Sequence, residues 1–178
     1  MNNSYYRQKN QALLTACLNH TEDQTSEVQV LELLHAALSK SVKGQSTRPS
    51  PPLYTWLAAE DLGGDQAWIP LLAVASACFY AAADLYDDIQ DRDHQQPVIA
   101  ASSPAQAINI ANLLLMASQR ALPALPLPPE TRLQLLDLFT TTGQTMSLGQ
   151  FFDIHSTNLN TLDIPPEQII PRKAGAEF

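Results

Sequence analysis

Four aspartates at helical spacing are the residues in this sequence most able to do chemistry. The segment 84–93 reads DLYDDIQDRD and follows directly on a long apolar stretch. The aspartates stand at i, i+3, i+4 and i+7, where a helix normally carries its buried apolar stripe: Asp84, Asp87, Asp88 and Asp91. Like charges at this spacing oppose helix formation by about 0.2–0.5 kcal/mol per exposed pair, and by more where water is excluded. Carboxylate oxygens favour hard cations, so Mg²⁺ shared with a ligand phosphate would offset the repulsion.

Other interpretations of the acidic cluster fit the sequence less well. A solvated helix end would explain it, but the apolar run before it favours a central helix that opens into the protein interior. A calcium loop starting at Asp91 would need Gly at its sixth position and Glu at its twelfth, where Gln96 and Ser102 stand. A di-iron bundle needs two Glu-x-x-His units, and the chain has one, Glu32–His35.

A second group of polar residues lies near the end of the chain. The segment GQFFD places Gln150 and Asp153 at i and i+3, on one face of a helix. Gly149 beside them lets another backbone or a ligand come close. Lys173 is a cation further along the chain. These side chains offer a water-ordering amide, a further carboxylate and a positive charge, which a magnesium–diphosphate site also needs.

The elements that carry these residues are predicted to be helices throughout. No segment shows a sustained period-two alternation, whereas several apolar patterns have the helical period. Gly63-Gly64 is expected to end a helix in a left-handed turn, Asp65 to cap the long helix that reaches the aspartates, and Ser103-Pro104 to open the next. The predicted helices cover about 3–19, 26–38, 53–61, 65–91, 104–120, 129–155 and a segment from 165 onward. We therefore predict an all-α chain with one domain, 1–178.

Charge and hydropathy exclude several classes of function. The formal net charge is −8, and no basic stripe is present of the kind that nucleic acid or an anionic membrane surface requires. The apolar uncharged run 66–83 has the bare minimum length for a membrane span. It contains Pro70 and leads into carboxylates, so we predict a buried helix and no span. The N-terminus lacks a signal peptide's apolar core, which favours a cytoplasmic protein, and Cys17 and Cys78 are expected to be inert buried thiols.

Three motifs in order resemble those of the trans-isoprenyl diphosphate synthases, the polyprenyl synthetase family. Asp87-Asp88-Ile89-Gln90-Asp91 matches the first aspartate-rich motif, DDxxD, and Gly149–Asp153 matches GQxxD. Arg172-Lys173-Ala174-Gly175 is similar to the Lys-Thr-Gly segment, with Ala in place of Thr. The resemblance covers the chain from about Gly44 to its end.

The resemblance implies an isoprenoid-synthase-type helical bundle with a central cavity, in a family that usually forms homodimers. Asp87 and Asp91 would bind Mg²⁺, the implied cofactor, on an allylic prenyl diphosphate, and Asp88 would support them. The implied reaction is ionisation of that substrate, in which the metal neutralises the departing diphosphate.

The same resemblance assigns roles to residues outside the acidic cluster. Gln150 and Asp153 would order the waters on the metal, and Lys173 would contact the diphosphate. Arg48 is what remains of the basic motif that grips isopentenyl diphosphate in the family.

The chain also departs from the family pattern. The Arg pair that follows DDxxD is absent after Asp91, and no second aspartate-rich motif follows Asp153. The chain is thus expected to be an N-terminal part of a synthase, a truncated helical bundle with a degenerate isopentenyl site. The acceptor stays open among isopentenyl diphosphate, a peptide and the substrate's own double bond. The alternative is a non-catalytic helical module that binds a partner through an open bundle face.

Overall fold

The computed structural model describes residues 3–43, 49–159 and 165–173. Within these ranges the chain forms eight helices and no strand, which confirms the predicted all-α class. The isoprenoid-synthase bundle itself stays a prediction. The helices are α1 (Asn3–Glu22), α2 (Val28–Lys43), α3 (Leu53–Asp61), α4 (Ile69–Gln90), α5 (Pro97–Ala101), α6 (Pro104–Ala121), α7 (Pro129–Leu159) and α8 (Pro166–Lys173).

The chain divides into two compact units, Met1–Leu127 and Pro128–Phe178. The prediction of one domain stays a prediction, and each unit is described by itself. In the first unit α4 is the central helix, because it packs against α1, α2, α3 and α6. Its contact face is rich in alanine and other small residues, which lets the neighbouring helices come close. The fully buried positions of α4 include Ile69, Ala73, Ala75, Ala77 and Cys78.

The start of α4 differs from the prediction. Asp65 was expected to cap this helix, but its Oδ1 accepts a hydrogen bond from the Ala67 amide within a preceding turn, at 2.8 Å. The helix begins at Ile69, with Trp68 as its N-cap and Pro70 in its first turn. Proline suits that turn because the first amides of a helix have no intrahelical acceptor.

Other helix ends follow the predicted local signals. Gly63 ends α3 with φ +77°, the left-handed geometry expected of the glycine pair. Ser103 caps α6 by accepting a hydrogen bond from the Gln106 amide. The short helix α5 was not predicted. Buried Gln96 caps it, since its side-chain oxygen accepts hydrogen bonds from the Val98 and Ile99 amides.

The second unit consists of α7 and α8, which pack against each other. At Gly149 the two backbones meet so closely that a Cβ would lie 2.4 Å from the Lys173 nitrogen. Ile169 of α8 is buried. Several large apolar side chains of this unit are exposed: Leu133, Leu138, Leu148, Phe151 and Ile170.

One helix, α4, is long and apolar enough by length and composition to cross a membrane. Half of its most apolar window is buried inside the protein, as in a core helix of a globular chain. The described residues therefore contain no clear membrane span.

Candidate functional site

The aspartates of α4 lie beside the core stripe of the helix rather than on it. Leu85, which is 1% exposed, and Ile89, which packs against the core, continue the buried stripe toward the helix end. Asp84, Asp87 and Asp88 are half-buried at its margin. The expectation that the acids take over the inward stripe is therefore wrong in this detail. Asp84 and Asp88 each stand one position before Leu85 and Ile89, and a helix turns by about 100° per residue, so these aspartates lie on the flank of the stripe.

The fourth aspartate lies just beyond the helix. Asp91 is the C-cap of α4 and is exposed. Arg92 follows with φ +59°, a left-handed conformation that is uncommon for a residue with a Cβ. The Arg92 amide donates to the Ile89 carbonyl, and the Asp93 amide donates to the Asp88 carbonyl. This pair of bonds is a Schellman motif, which turns the chain immediately after the acidic cluster.

Sequence reasoning missed a lysine that faces the acidic cluster. Lys40 Nζ, on α2, donates a hydrogen bond to Asp88 Oδ2. The Asp88 side chain is 19% exposed and that of Lys40 38%. The signal was present in the helical period of α2, because Lys40 lies three residues after Ala37 and seven after Leu33, both buried, and so continues their stripe. Which helix that stripe packs against cannot be read from α2 alone.

Two residues of the second predicted group are brought together. Lys173 Nζ donates to Asp153 Oδ2 at 2.7 Å, which joins the last turn of α8 to α7. The Arg172 guanidinium lies over the Phe152 ring at 5.9 Å from its centroid, within the range of a cation–π contact. The close approach of backbones at Gly149 holds this crossing in place, so the expectation that Gly149 admits another backbone is confirmed.

Gln150 is the remaining member of this group. Both its Nε2 and its Oε1 are buried, and neither has a hydrogen-bond partner among the described residues. A buried amide without partners costs free energy. Such a group is suited to hold an ordered water or a ligand oxygen.

The predicted sites belong to different units. Asp87, Asp88 and Asp91 lie in the first unit, and Gln150, Asp153 and Lys173 lie in the second. A single site that contains both groups stays a prediction. Arg48, Ala174 and Gly175 lie outside the described residues.

The donor set of α4 fits magnesium in its chemistry. Within 3–43, 49–159 and 165–173, no group of three or more His, Cys, Asp or Glu side chains is arranged to hold a metal ion. Mg²⁺ is usually held by one or two carboxylates, with water and substrate phosphates completing its shell. Half-buried aspartates on one helix margin supply such carboxylates, and the ligand would have to supply the rest.

A separate charged cluster joins α1 to α3. Lys9 Nζ pairs with Glu60 Oε1 and lies 5.0 Å from the centre of the Trp56 ring. Trp56 Nε1 donates to the same carboxylate oxygen at 2.9 Å, and Gln66 also donates to it. Burial by itself raises the pKa of Glu60, but the hydrogen bonds from Lys9, Trp56 and Gln66 outweigh it, and the pKa lies below its ordinary value. Each of these groups has a protein partner, so the cluster is structural.

Comparison with models of known protein families finds no match to this chain. Comparison with curated protein sequences likewise finds none.

Proposed function

We propose that the protein is an isoprenoid synthase or prenyltransferase that acts on an allylic diphosphate with Mg²⁺. The proposal depends on one observation, the row of aspartates at the end of the central helix α4, of which Asp84, Asp87 and Asp88 are half-buried and the C-cap Asp91 is exposed. Neighbouring carboxylates repel one another, Lys40 compensates the charge of Asp88, and a divalent cation with its anionic ligand would relieve the repulsion further. We further propose that the protein acts in the cytoplasm and as a homodimer.

The second unit supports the proposal with its own polar group. Asp153 and Lys173 form an ion pair, and Gln150 beside them has a buried amide with no hydrogen-bond partner among the residues that the structure describes. An amide of this kind can bind an ordered water, and a lysine held by a carboxylate is positioned to meet a phosphate oxygen.

In the proposed reaction the residues of the chain bind and orient the substrate. Asp87 and Asp91, supported by Asp88, would hold the metal, which when bound would neutralise the departing diphosphate. The family resemblance gives Lys173 the role of contacting the diphosphate and Gln150 that of ordering water, and both roles stay predictions for residues of the second unit. The departures from the family motifs favour an acceptor other than isopentenyl diphosphate, which means a peptide or the substrate's own double bond.

Release of diphosphate from farnesyl or geranyl diphosphate tests the proposal. We expect release that requires Mg²⁺ and that falls at least a hundredfold in Asp87→Ala/Asp91→Ala, because the metal is lost. Asp61→Ala removes an exposed carboxylate of α3 in the same unit and should leave the rate unchanged. No release by the wild type, or equal release by the double variant, would contradict the proposal.

A second candidate function is that of a non-catalytic binding module. The exposed large apolar side chains of α7 and α8 favour it, because exposed apolar surface in such amount commonly marks an interaction site. Sedimentation at increasing protein concentration tests this candidate. A monomer at all concentrations, with no change in Leu148→Ser/Phe151→Ser, would remove its support.

A further inference from the structure

Lys40 is a charged residue of the acidic region that no motif of the chain accounts for. It reaches from the last turns of α2 to the last turns of α4 and donates a hydrogen bond to Asp88. The lysine is the more exposed partner, so its ammonium group can leave the carboxylate without crossing the core.

Stability alone is a weak explanation for this pair. Ion pairs near the surface usually contribute little, because water screens them and both side chains lose freedom. The helices α2 and α4 already pack against each other, and Leu38, Val42 and Leu85 are buried in the same hydrophobic core. Lys40 therefore adds little to the stability of this helix contact, and its main effect is to offset the negative charge of the aspartates.

We propose that Lys40 is a positioning residue that compensates Asp88 in the metal-free protein and moves to a phosphate oxygen of the ligand when Mg²⁺ binds. The inference rests on the proposed function and names a residue of that same site. The Asp88 carboxylate cannot bind the Lys40 ammonium group and a nearby divalent cation equally strongly at the same time, because the two positive charges repel each other. The flexible lysine side chain is the partner that can move, and it can form a new ion pair with a phosphate group of the ligand bound beside the aspartates.

The proposal predicts opposite effects of one substitution on two affinities. Lys40→Met removes the charge and keeps most of the length of the side chain. Mg²⁺ alone should then bind more tightly by about threefold to tenfold, because a positive charge this close lowers the affinity of a carboxylate for other cations. Inorganic pyrophosphate in the presence of Mg²⁺ should bind about tenfold more weakly or worse, because a hydrogen bond from a charged donor is lost.

Isothermal titration of the full chain measures both affinities, first with Mg²⁺ alone and then with pyrophosphate at saturating Mg²⁺. Lys40→Arg keeps the charge and should restore the affinity for Mg²⁺ to that of the wild type. Lys9→Met is the matched control, because Lys9 also pairs with a carboxylate of the first unit but lies in the cluster around Glu60. It should change neither affinity, and circular dichroism should show all variants folded.

The outcomes separate this inference from the proposed function. A wild type that binds neither Mg²⁺ nor magnesium pyrophosphate overturns both. A wild type that binds both, with Lys40→Met unchanged, overturns the role of Lys40 and leaves the proposed function standing. Loss of both affinities in Lys40→Met also overturns it, because that result would mean that the lysine only holds Asp88 in place.

Discussion

A methyl group added at Gly149 should separate α8 from α7. The new Cβ of Gly149→Ala would lie 2.4 Å from the Lys173 nitrogen, 2.6 Å from the Arg172 carbonyl carbon and 2.8 Å from the Lys173 Cα. All three are backbone atoms, so no flexible side chain can turn away to make room. The shortest of these contacts is about 1 Å below the 3.4 Å at which ordinary van der Waals contact begins. The helix α8 must therefore move by about that distance.

The shift has an energetic cost that can be estimated. Overpacking of this kind typically costs about 1–3 kcal/mol. Alanine is the better helix former by about 1 kcal/mol, which offsets part of that cost. The displacement also stretches the hydrogen bond of 2.7 Å between Lys173 and Asp153. We expect a net loss of about 1 kcal/mol or more, confined to the packing of α8 on α7.

Hydrogen exchange of the α8 amides measures this loss directly, since local opening reports the stability of one element. Gly149→Ala should speed exchange in α8 about fivefold or more, and Gly149→Val should speed it further. Gln144→Ala changes an exposed residue of the same helix and should leave α8 protection as it is. Slower exchange in Gly149→Ala than in the wild type would refute the close approach of the two backbones.

Three further predictions concern the first unit. Arg92→Gly should raise the free energy of unfolding by about 1 kcal/mol in urea denaturation, because glycine adopts φ +59° without the steric cost that a Cβ brings. The pKa of Glu60 lies below its ordinary value, so ionised Glu60 stabilises the folded protein fully when the pH is above the ordinary pKa. This stabilisation is lost as the pH falls through the lowered pKa, and Glu60→Gln should therefore flatten the acid side of the stability–pH profile. Cys17 and Cys78 are fully buried, and a hydrogen bond with Cys78, together with burial, raises the pKa of Cys17. Because a buried thiol is out of reach of a thiol reagent, both cysteines should react only after unfolding.

Each of these has a control and a contrary outcome. Arg92→Ala keeps a Cβ and should gain nothing, so an equal gain in both variants would show that the left-handed turn is not the cause. Lys9→Met should flatten the acid profile in part, and an unchanged profile in Glu60→Gln would exclude the depressed pKa. Fast labelling of either cysteine in native buffer would contradict its burial.

Much of the helical organisation was predictable because its signals are local. Gly63 and Ser103 act through their own backbone geometry and nearest amides, so the ends of α3 and α6 follow from a few residues. The start of α4 was misplaced because Asp65 forms its bond within a turn instead of at the helix. The helix α5 was missed because its cap, Gln96, is a glutamine at the edge of a polar loop.

The candidate site was predictable only in part. The spacing of the sequence identified the aspartates and the pair Gln150 and Asp153, since residues three and four apart share a helix face. It did not identify Lys40, because the bond to Asp88 joins residues that are 48 positions apart. It also left open whether Gly149 meets a backbone or a ligand.

The sequence by itself determined that this chain is helical and that its acids gather at the end of one apolar helix, because periodicity and capping act over a few residues. The tertiary structure decided which side chains meet. It put Leu85 and Ile89 on the core stripe with the aspartates at its margin, placed Lys40 against Asp88, and brought α8 onto Gly149. These outcomes depend on how helices pack, and packing is set by the shapes of surfaces that are distant in sequence.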